Sequence, residues 1–419
     1  MPNSLANAAI KENLPLLKPD ILVVSRTLLP KEGGIEEYIY NRCLQDPERV
    51  IVLSSACLGD KYFDEKQNFP IFRWKSPKLF NFVLLGSFIK QFFYMFCELL
   101  LAIKIYFRYR YRYIEWGHGY DFPVLLLLSY LLPVRCFIYV HGNDILCPLK
   151  NPMLRLLFSC TLNRVEKIVC NSSFTADYLT KNFNFNTSTL VINPVVRPEK
   201  FGILNIKNDF ENLGKKLRNN YKIQETSIVI LSVGRLVPRK GFDKIIQLLP
   251  LLLAENIDVH YIVCGRGVME LELKSLASRL NLIDRVHFAG YVPDRELASY
   301  YAACDLFAML TFFDQNAYSI EGFGIVYVEA GYFGKPVIAT RVGGVVDAVH
   351  DEENGILVDP NSENGILEAF KCLCKDKNLR YSLGLKGQEL ASRKTLHRQL
   401  YLSNKIEEEN AKSNDLYIS

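Results

Sequence analysis

A chain of 419 residues exceeds what one hydrophobic core organises, so two domains are expected. With 49% apolar residues, 23% charged residues and a net charge of +5, the composition is that of an ordinary globular protein, and the charge is too small to argue for nucleic acid. Eleven scattered cysteines, an odd number, argue against a disulfide framework and fit a reducing, cytoplasmic compartment.

Residues 1–20 lack a continuous apolar segment and are interrupted by Pro15 and Pro19, so no signal peptide is expected. The charge-free apolar stretches Leu79–Ile89 and Phe122–Val134 fall short of the roughly 18 residues that a membrane span needs. Ile21–Ser25 reads as a strand, followed by a loop carrying Gly33-Gly34 and a helical pattern from Tyr38. Strand, glycine loop and helix open a Rossmann-like unit, without the Gly-x-Gly-x-x-Gly spacing of a dinucleotide site. Val50–Ser54 and Ile71–Trp74 read as the next strands.

Residues 73–113 hold eight basic side chains against one acid, Glu98. Ser87, Lys90, Gln91, Tyr94 and Glu98 form a narrow polar stripe on an otherwise apolar helix, and Arg108–Tyr113 alternates bases with aromatics. Two readings follow. In one, the segment lies on an anionic membrane, apolar side in the acyl boundary and cations on the headgroups. In the other, the helix packs on a sheet and its basic stems cover the rim.

A segment containing Trp116-Gly-His118 leads into an apolar helix through Leu132. Val134–Val140 then reads as a strand running into His141-Gly142-Asn143-Asp144. Open α/β sheets bind ligands at the carboxyl ends of their strands, which makes His141 a candidate site residue and His118 a secondary one on the acceptor side. Residues 164–169 lead to a further strand-to-helix junction at Cys170–Ser173, and Leu190–Pro194 closes the first half. Strands at 228–233, 260–264, 286–289, 306–310, 336–339 and 355–358, with helices between them, make a second doubly wound series. The expected organisation is therefore α/β, with one Rossmann-like domain over 1–197 and a second over 198–390. A polar helical pattern follows from 391, and the tail to 419 is expected to be frayed. Cys372 and Cys374 are expected to be buried thiols.

The chemistry concentrates in the second half. Gly234-Arg235-Leu-Val-Pro-Arg239-Lys240-Gly241 follows its first strand, and Arg235 and Lys240 flank the start of a helix, a diphosphate clamp. Gly265-Arg-Gly267 and Gly343-Gly344 stand at other strand ends. Glu321-Gly-Phe323-Gly324-Ile325 runs into a helix that carries Glu329 about two turns further on. Its glycines let a ligand approach the backbone, and its first amides suit a phosphate.

Together with Pro336–Thr340 and Gly33-Gly34, these motifs resemble the retaining GT-B glycosyltransferases of family 4 over roughly residues 21–373, and most of all the bacterial mannosyltransferases acting on phosphatidylinositol mannosides. The resemblance implies two Rossmann-like domains facing across a cleft, an acceptor domain over 1–197 and a donor domain over 198–390, with the helix from 391 crossing back to the first, and a GDP- or UDP-linked sugar as co-substrate. Arg235 and Lys240 would hold its diphosphate, with Gly265 at a neighbouring strand end. Glu321 would hold hydroxyls of the transferred sugar, and Phe323, Gly324 and Ile325 would meet the sugar or phosphate. Glu329 would take the ribose, while Gly33 and Gly34 would approach the diphosphate. His141 matches the family's active-site histidine. No Asp-x-Asp motif occurs, so neither a metal nor another cofactor is expected. The expected reaction moves a mannose- or glucose-type hexose, with retention, to a lipid-linked or glycan acceptor. The competing readings are a non-catalytic nucleotide-sugar binder, which has no need of Glu321, and an epimerase or phosphorylase on the same scaffold.

Overall fold

The structure, a computed structural model, describes residues 18–75, 85–202, 206–315, 319–392 and 400–401, with backbone alone at 85–90 and 206–209. The expected C-terminal helix crossing and frayed tail lie almost wholly outside these residues.

The β-rich runs assemble into two parallel sheets. The first contains β1 (Ile21–Ser25), β2 (Val50–Ser55), β3 (Ile71–Trp74), β4 (Tyr113–Trp116), β5 (Arg135–Val140), β6 (Lys167–Cys170) and β7 (Thr189–Val191), in the order 3-2-1-4-5-6-7. The second contains β8 (Ile228–Val233), β9 (Val259–Cys264), β10 (Val286–Gly290), β11 (Leu306–Met309), β12 (Val337–Thr340) and β13 (Gly355–Val358), in the order 10-9-8-11-12-13. Each order reverses beside its first strand, between β1 and β4 and between β8 and β11. In doubly wound sheets that switch point is where a crevice opens for ligands.

The chain divides into two compact units: residues up to Tyr139 with 155–168 and 185–188, and residues 140–154 and 169–184 with everything from Thr189 onward. In the second unit, period-two alternation buries both faces of β8. Val229 and Leu231 join a cluster with Tyr301, Phe307 and Phe333, while Ile230 joins one with Phe242, Ile245 and Phe370. Cys374 is buried in the helix Glu363–Lys375, but Cys372 is exposed, contrary to expectation. Residues two apart on a helix point roughly 200° apart, so only one of the two can face the core.

In the first unit, β4 is a strand that sequence reading did not mark. Its Glu115 is fully buried at the centre of the sheet. The equally buried Arg42 donates to it from Nε at 2.9 Å and from Nη2 at 2.7 Å, and Tyr139 adds its hydroxyl at 2.7 Å. Asp46 accepts from Arg42 Nη1 at 3.1 Å, so the charge is both paired and hydrogen-bonded.

The helix Leu85–Tyr109 turns the described part of its polar stripe, from Gln91 to Glu98, away from solvent. Gln91 bonds Asp121, and Glu98 is fully buried with Ala102 and Ile105. Phe92, Phe96, Leu100 and Phe107 face solvent instead. Neither oxygen of Glu98 has a hydrogen-bond partner among the described residues. Burial first, and then the neighbouring Asp121, push its carboxyl well above the usual range against the pull of Arg26. Among the described residues no helix is long and apolar enough to cross a membrane.

Candidate active site

At the switch point of the second sheet the loops after β8 and β11 meet. The loop after β8 enters a short 3-10 turn, Pro238–Lys240, and then the helix Phe242–Ala254. The loop after β11 returns as Glu321–Gly324 and opens the helix Ile325–Tyr332. Lys240 Nζ lies 2.6 Å from Glu321 Oε2, and Arg239 Nη1 lies 2.7 Å from the same oxygen. All three side chains are nearly buried. Arg235 is exposed and makes no ion pair or side-chain hydrogen bond among the described residues, although its charge reaches Lys240. The sequence reading paired Lys240 with Arg235. The structure puts Arg239 on the carboxylate and leaves Arg235 available to an incoming anion.

Burial alone would raise the Glu321 carboxyl, but Lys240 and Arg239 hold it at about 2, below its usual 4.5. Burial lowers Lys240, assisted by Arg239 and Arg235 and opposed by Glu321. A depressed carboxyl adds stability that is fully present above its unfolded value and is lost as pH falls through its folded one. Urea midpoints of the protein should therefore decline as pH is lowered from 4.5 to about 2. This carboxyl accounts for about 3 kcal/mol of that decline. Glu321→Gln should be less stable at neutral pH and flatter across the same window; an unchanged slope would dissociate Glu321 from the two cations.

Close backbone approach fixes the Glu321 loop. A Cβ on Gly322 would stand 2.0 Å from the His141 carbonyl oxygen, and one on Gly344 would stand 1.8 Å from the Gly322 carbonyl oxygen. Gly344 N–H donates to Glu321 O at 2.9 Å. Asn143 Oδ1 accepts from Ile320 N–H at 2.8 Å, and Asp144 Oδ1 accepts from His141 N–H at 2.9 Å. The His141 backbone thus stands against the loop carrying Glu321. Asn143, Asn171, Ser172 and Asp347 also belong to this cluster. Asp347 accepts from Ser173 N–H at 2.7 Å and from Asn193 Nδ2 at 3.1 Å. None of these four was singled out in the sequence, although the strand-to-helix junction at 170–173 pointed at the place.

The other expected residues lie as follows. Phe323 is buried, and Gly324, in the left-handed region at φ 88, caps the helix that begins with Ile325. Glu329 is almost fully buried; Lys200 Nζ lies 2.5 Å from Oε1, and Tyr301 donates to Oε2 at 3.2 Å. Lys200 carries no motif and was not anticipated. Gly265 follows β9, and its N–H bonds Gly290 O at 2.7 Å. In the first unit, Gly33 caps the helix Gly34–Gln45, and Glu36 of its first turn accepts from Thr27 Oγ1 at 2.6 Å. His118 is buried. Its Nε2 accepts from Arg26 N–H at 2.6 Å and its Nδ1 lies 3.0 Å from Tyr120 O, which fixes one tautomer and occupies both ring nitrogens. Beside it, Arg26 grips Asp121 with Nε at 2.8 Å and Nη2 at 2.6 Å.

The sequence profile of glycosyl transferases group 1 matches residues 214–390, the stretch that supplies these loops from β8 onward. An uncharacterised glycosyltransferase of Methanocaldococcus jannaschii is 30% identical over 278 residues, 65% of this chain and 69% of its own length. The chain belongs to the group 1 glycosyl transferases. Another relative is the GDP-mannose-dependent alpha-(1-6)-phosphatidylinositol monomannoside mannosyltransferase of Mycolicibacterium smegmatis, 34% identical over 176 residues. That alignment spans 42% of this group 1 chain and 46% of the relative's length. Among solved structures, Anabaena HepE in complex with UDP-glucose superposes with a TM-score of 0.71 over 94% of this chain and 99% of its own, at 21% identity. Sucrose-phosphate synthase from Thermosynechococcus elongatus gives 0.72 over 96% and 100%, at 18% identity. At such identities the likeness is one of fold, and that fold is the GT-B architecture expected of the sequence.

Proposed function

We propose that this chain is a retaining, metal-independent hexosyltransferase of family 4. It moves a mannose- or glucose-type sugar from a GDP- or UDP-linked donor to a hydroxyl of a lipid-linked or glycan acceptor. The observation that carries this reading is the group at the switch point of the second sheet, where two cations share one buried carboxylate while Arg235, exposed near them, forms no ion pair among the described residues. Glycosyl transfer must stabilise negative charge on the departing diphosphate. Arg235, Lys240 and the amino end of the helix Ile325–Tyr332 supply that stabilisation. Glu321 accepts hydrogen bonds from hydroxyls of the transferred sugar. Glu329 is the ribose ligand, reached by exchange with Lys200. Gly265 and the Phe323–Gly324 backbone line the donor.

In the front-face course the bond from the anomeric carbon to the phosphate oxygen breaks as the acceptor oxygen bonds the same face. The acceptor proton passes to the leaving phosphate oxygen, and His141 positions the sugar or the acceptor hydroxyl. The names of the M. smegmatis relative and of the HepE complex support both donor classes. The acceptor reading favours a membrane surface, reached through residues 73–113 at the cytoplasmic face, where the exposed phenylalanines of Leu85–Tyr109 adjoin Arg108, Arg110 and Arg112.

The test is incubation with radiolabelled UDP- and GDP-hexoses with and without a total lipid extract. Label should move to an acceptor in one donor series, and the product anomer should match the donor by NMR. Release of an isomerised nucleotide sugar, free sugar phosphate, or binding without turnover would each support a competing reading.

A further inference from the structure

Opposite the ligand edge of the first sheet lies a second basic site. Asp20 precedes β1, Arg49 precedes β2, and Arg112 stands one residue before β4, so all three gather at the amino ends of these strands. With Lys18, Tyr109 and Arg110 they line a groove of about 520 Å³. We propose that this groove binds the phosphate of an anionic lipid headgroup.

Two guanidinium groups converge there on one carboxylate, and Lys18 and Arg110 line the groove beside them. Asp20 accepts from Arg49 Nε at 2.9 Å and Nη2 at 3.0 Å, and from Arg112 Nη2 at 2.6 Å. Burial would raise Asp20, but the two guanidinium groups hold it below its usual range. Arg112 is largely exposed and gives Asp20 a bond from one nitrogen only, so the carboxylate orients this fork and leaves donors over. Lys18 and Arg110 form no ion pair among the described residues.

Arg110 also holds a left-handed backbone, φ 55, at the carboxyl end of the helix, a position where glycine is the ordinary choice. Its guanidinium lies 5.3 Å from the ring centroids of both Tyr106 and Phe107. A non-glycine residue held this way marks a place where the side chain matters more than the cost of its backbone.

The apolar surroundings select the lipid. Phe107, under the Arg110 guanidinium, is exposed and continues a solvent-facing row of Phe92, Phe96 and Leu100 along the same helix. A free phosphate has no use for that row. A bilayer takes the row into its acyl boundary and offers phosphates at the depth of the groove. The inference rests on the membrane reading above, and it is testable apart from the transferase reading because Lys18 and Arg110 belong to neither the donor loops nor an ion pair.

The full chain should co-sediment with vesicles of phosphatidylcholine and phosphatidylglycerol at low salt, but not with phosphatidylcholine alone. Binding should weaken as salt is raised. At about five-fold per basic side chain near an anionic surface, the Lys18→Gln/Arg110→Gln protein should bind roughly twenty- to thirty-fold more weakly. Its unfolding midpoint and its thermal shift with UDP or GDP should stay those of the parent. The proposal is overturned by equal binding of parent and variant, by equal binding to neutral vesicles, or by a parent that binds UDP or GDP but no vesicle. Protection of the groove by glycerol phosphate without vesicle binding would assign it to a free phosphomonoester and overturn the lipid. A parent that sediments as expected yet transfers no sugar would leave the groove standing and remove the transferase reading.

Discussion

Lys240→Ala is expected to lower turnover by roughly 10²–10³-fold, the usual effect of removing one preorganised donor from a developing oxyanion. If the ammonium acts on charge that appears only as the diphosphate departs, kcat falls while KM changes little. The same substitution leaves buried Glu321 with Arg239 alone, so the thermal midpoint should fall as well. Arg235→Ala separates the two effects. That side chain is exposed and breaks no ion pair when truncated, so turnover should fall comparably at an unchanged midpoint. Initial rates and thermal unfolding on the same preparations decide the matter. Near-normal turnover of both variants would remove the clamp from the mechanism.

The largest effect on stability is expected at Glu115→Ala. Truncation takes the bidentate acceptor of a fully buried guanidinium, Arg42, and the acceptor of the Tyr139 hydroxyl, and leaves Arg42 on Asp46, which typically costs about 3–5 kcal/mol. Glu115→Leu combined with Arg42→Met should recover part of this, because it removes both fully buried charges at once and leaves only Asp46, at the margin of the cluster, without its Arg42 contact. Urea denaturation read at equilibrium compares the two proteins. A single variant as stable as the parent would mean that water reaches Arg42.

The same pair shows what could be read from the sequence and what could not. Most strands were legible because both faces of a parallel sheet are buried, and uninterrupted runs such as Ile21–Val24 or Val229–Leu231 have no other home. Tyr113–Trp116 was not legible. It carries a carboxylate in mid-strand, and only the fold brings Arg42, more than seventy residues away, to neutralise it. The polar stripe of Leu85–Tyr109 was visible by its spacing, yet spacing cannot tell which face turns to the sheet. Asp121 and Arg26 decide that from distant loops. At the site, Arg235, Lys240 and Glu321 stood out because turn glycines and charges occur together at strand ends. The pairing of Arg239 with Glu321 depends on the order of β8 and β11 in the sheet, and Lys200 reaches Glu329 from a stretch with no pattern of its own.

The shared oxygen of Glu321 has a consequence for discrimination. Beside Arg239 and Lys240 this carboxylate stands where a guest's phosphate would, so one of the two positive charges is already balanced. A bare anion such as pyrophosphate that claimed Lys240 and Arg239 would orphan a desolvated carboxylate and be repelled by it. A neutral sugar offers Glu321 hydroxyls but gives the cations nothing. On the proposed function, only a molecule carrying both parts in one covalent frame would satisfy both partners at once, and these three side chains would act as a selectivity filter.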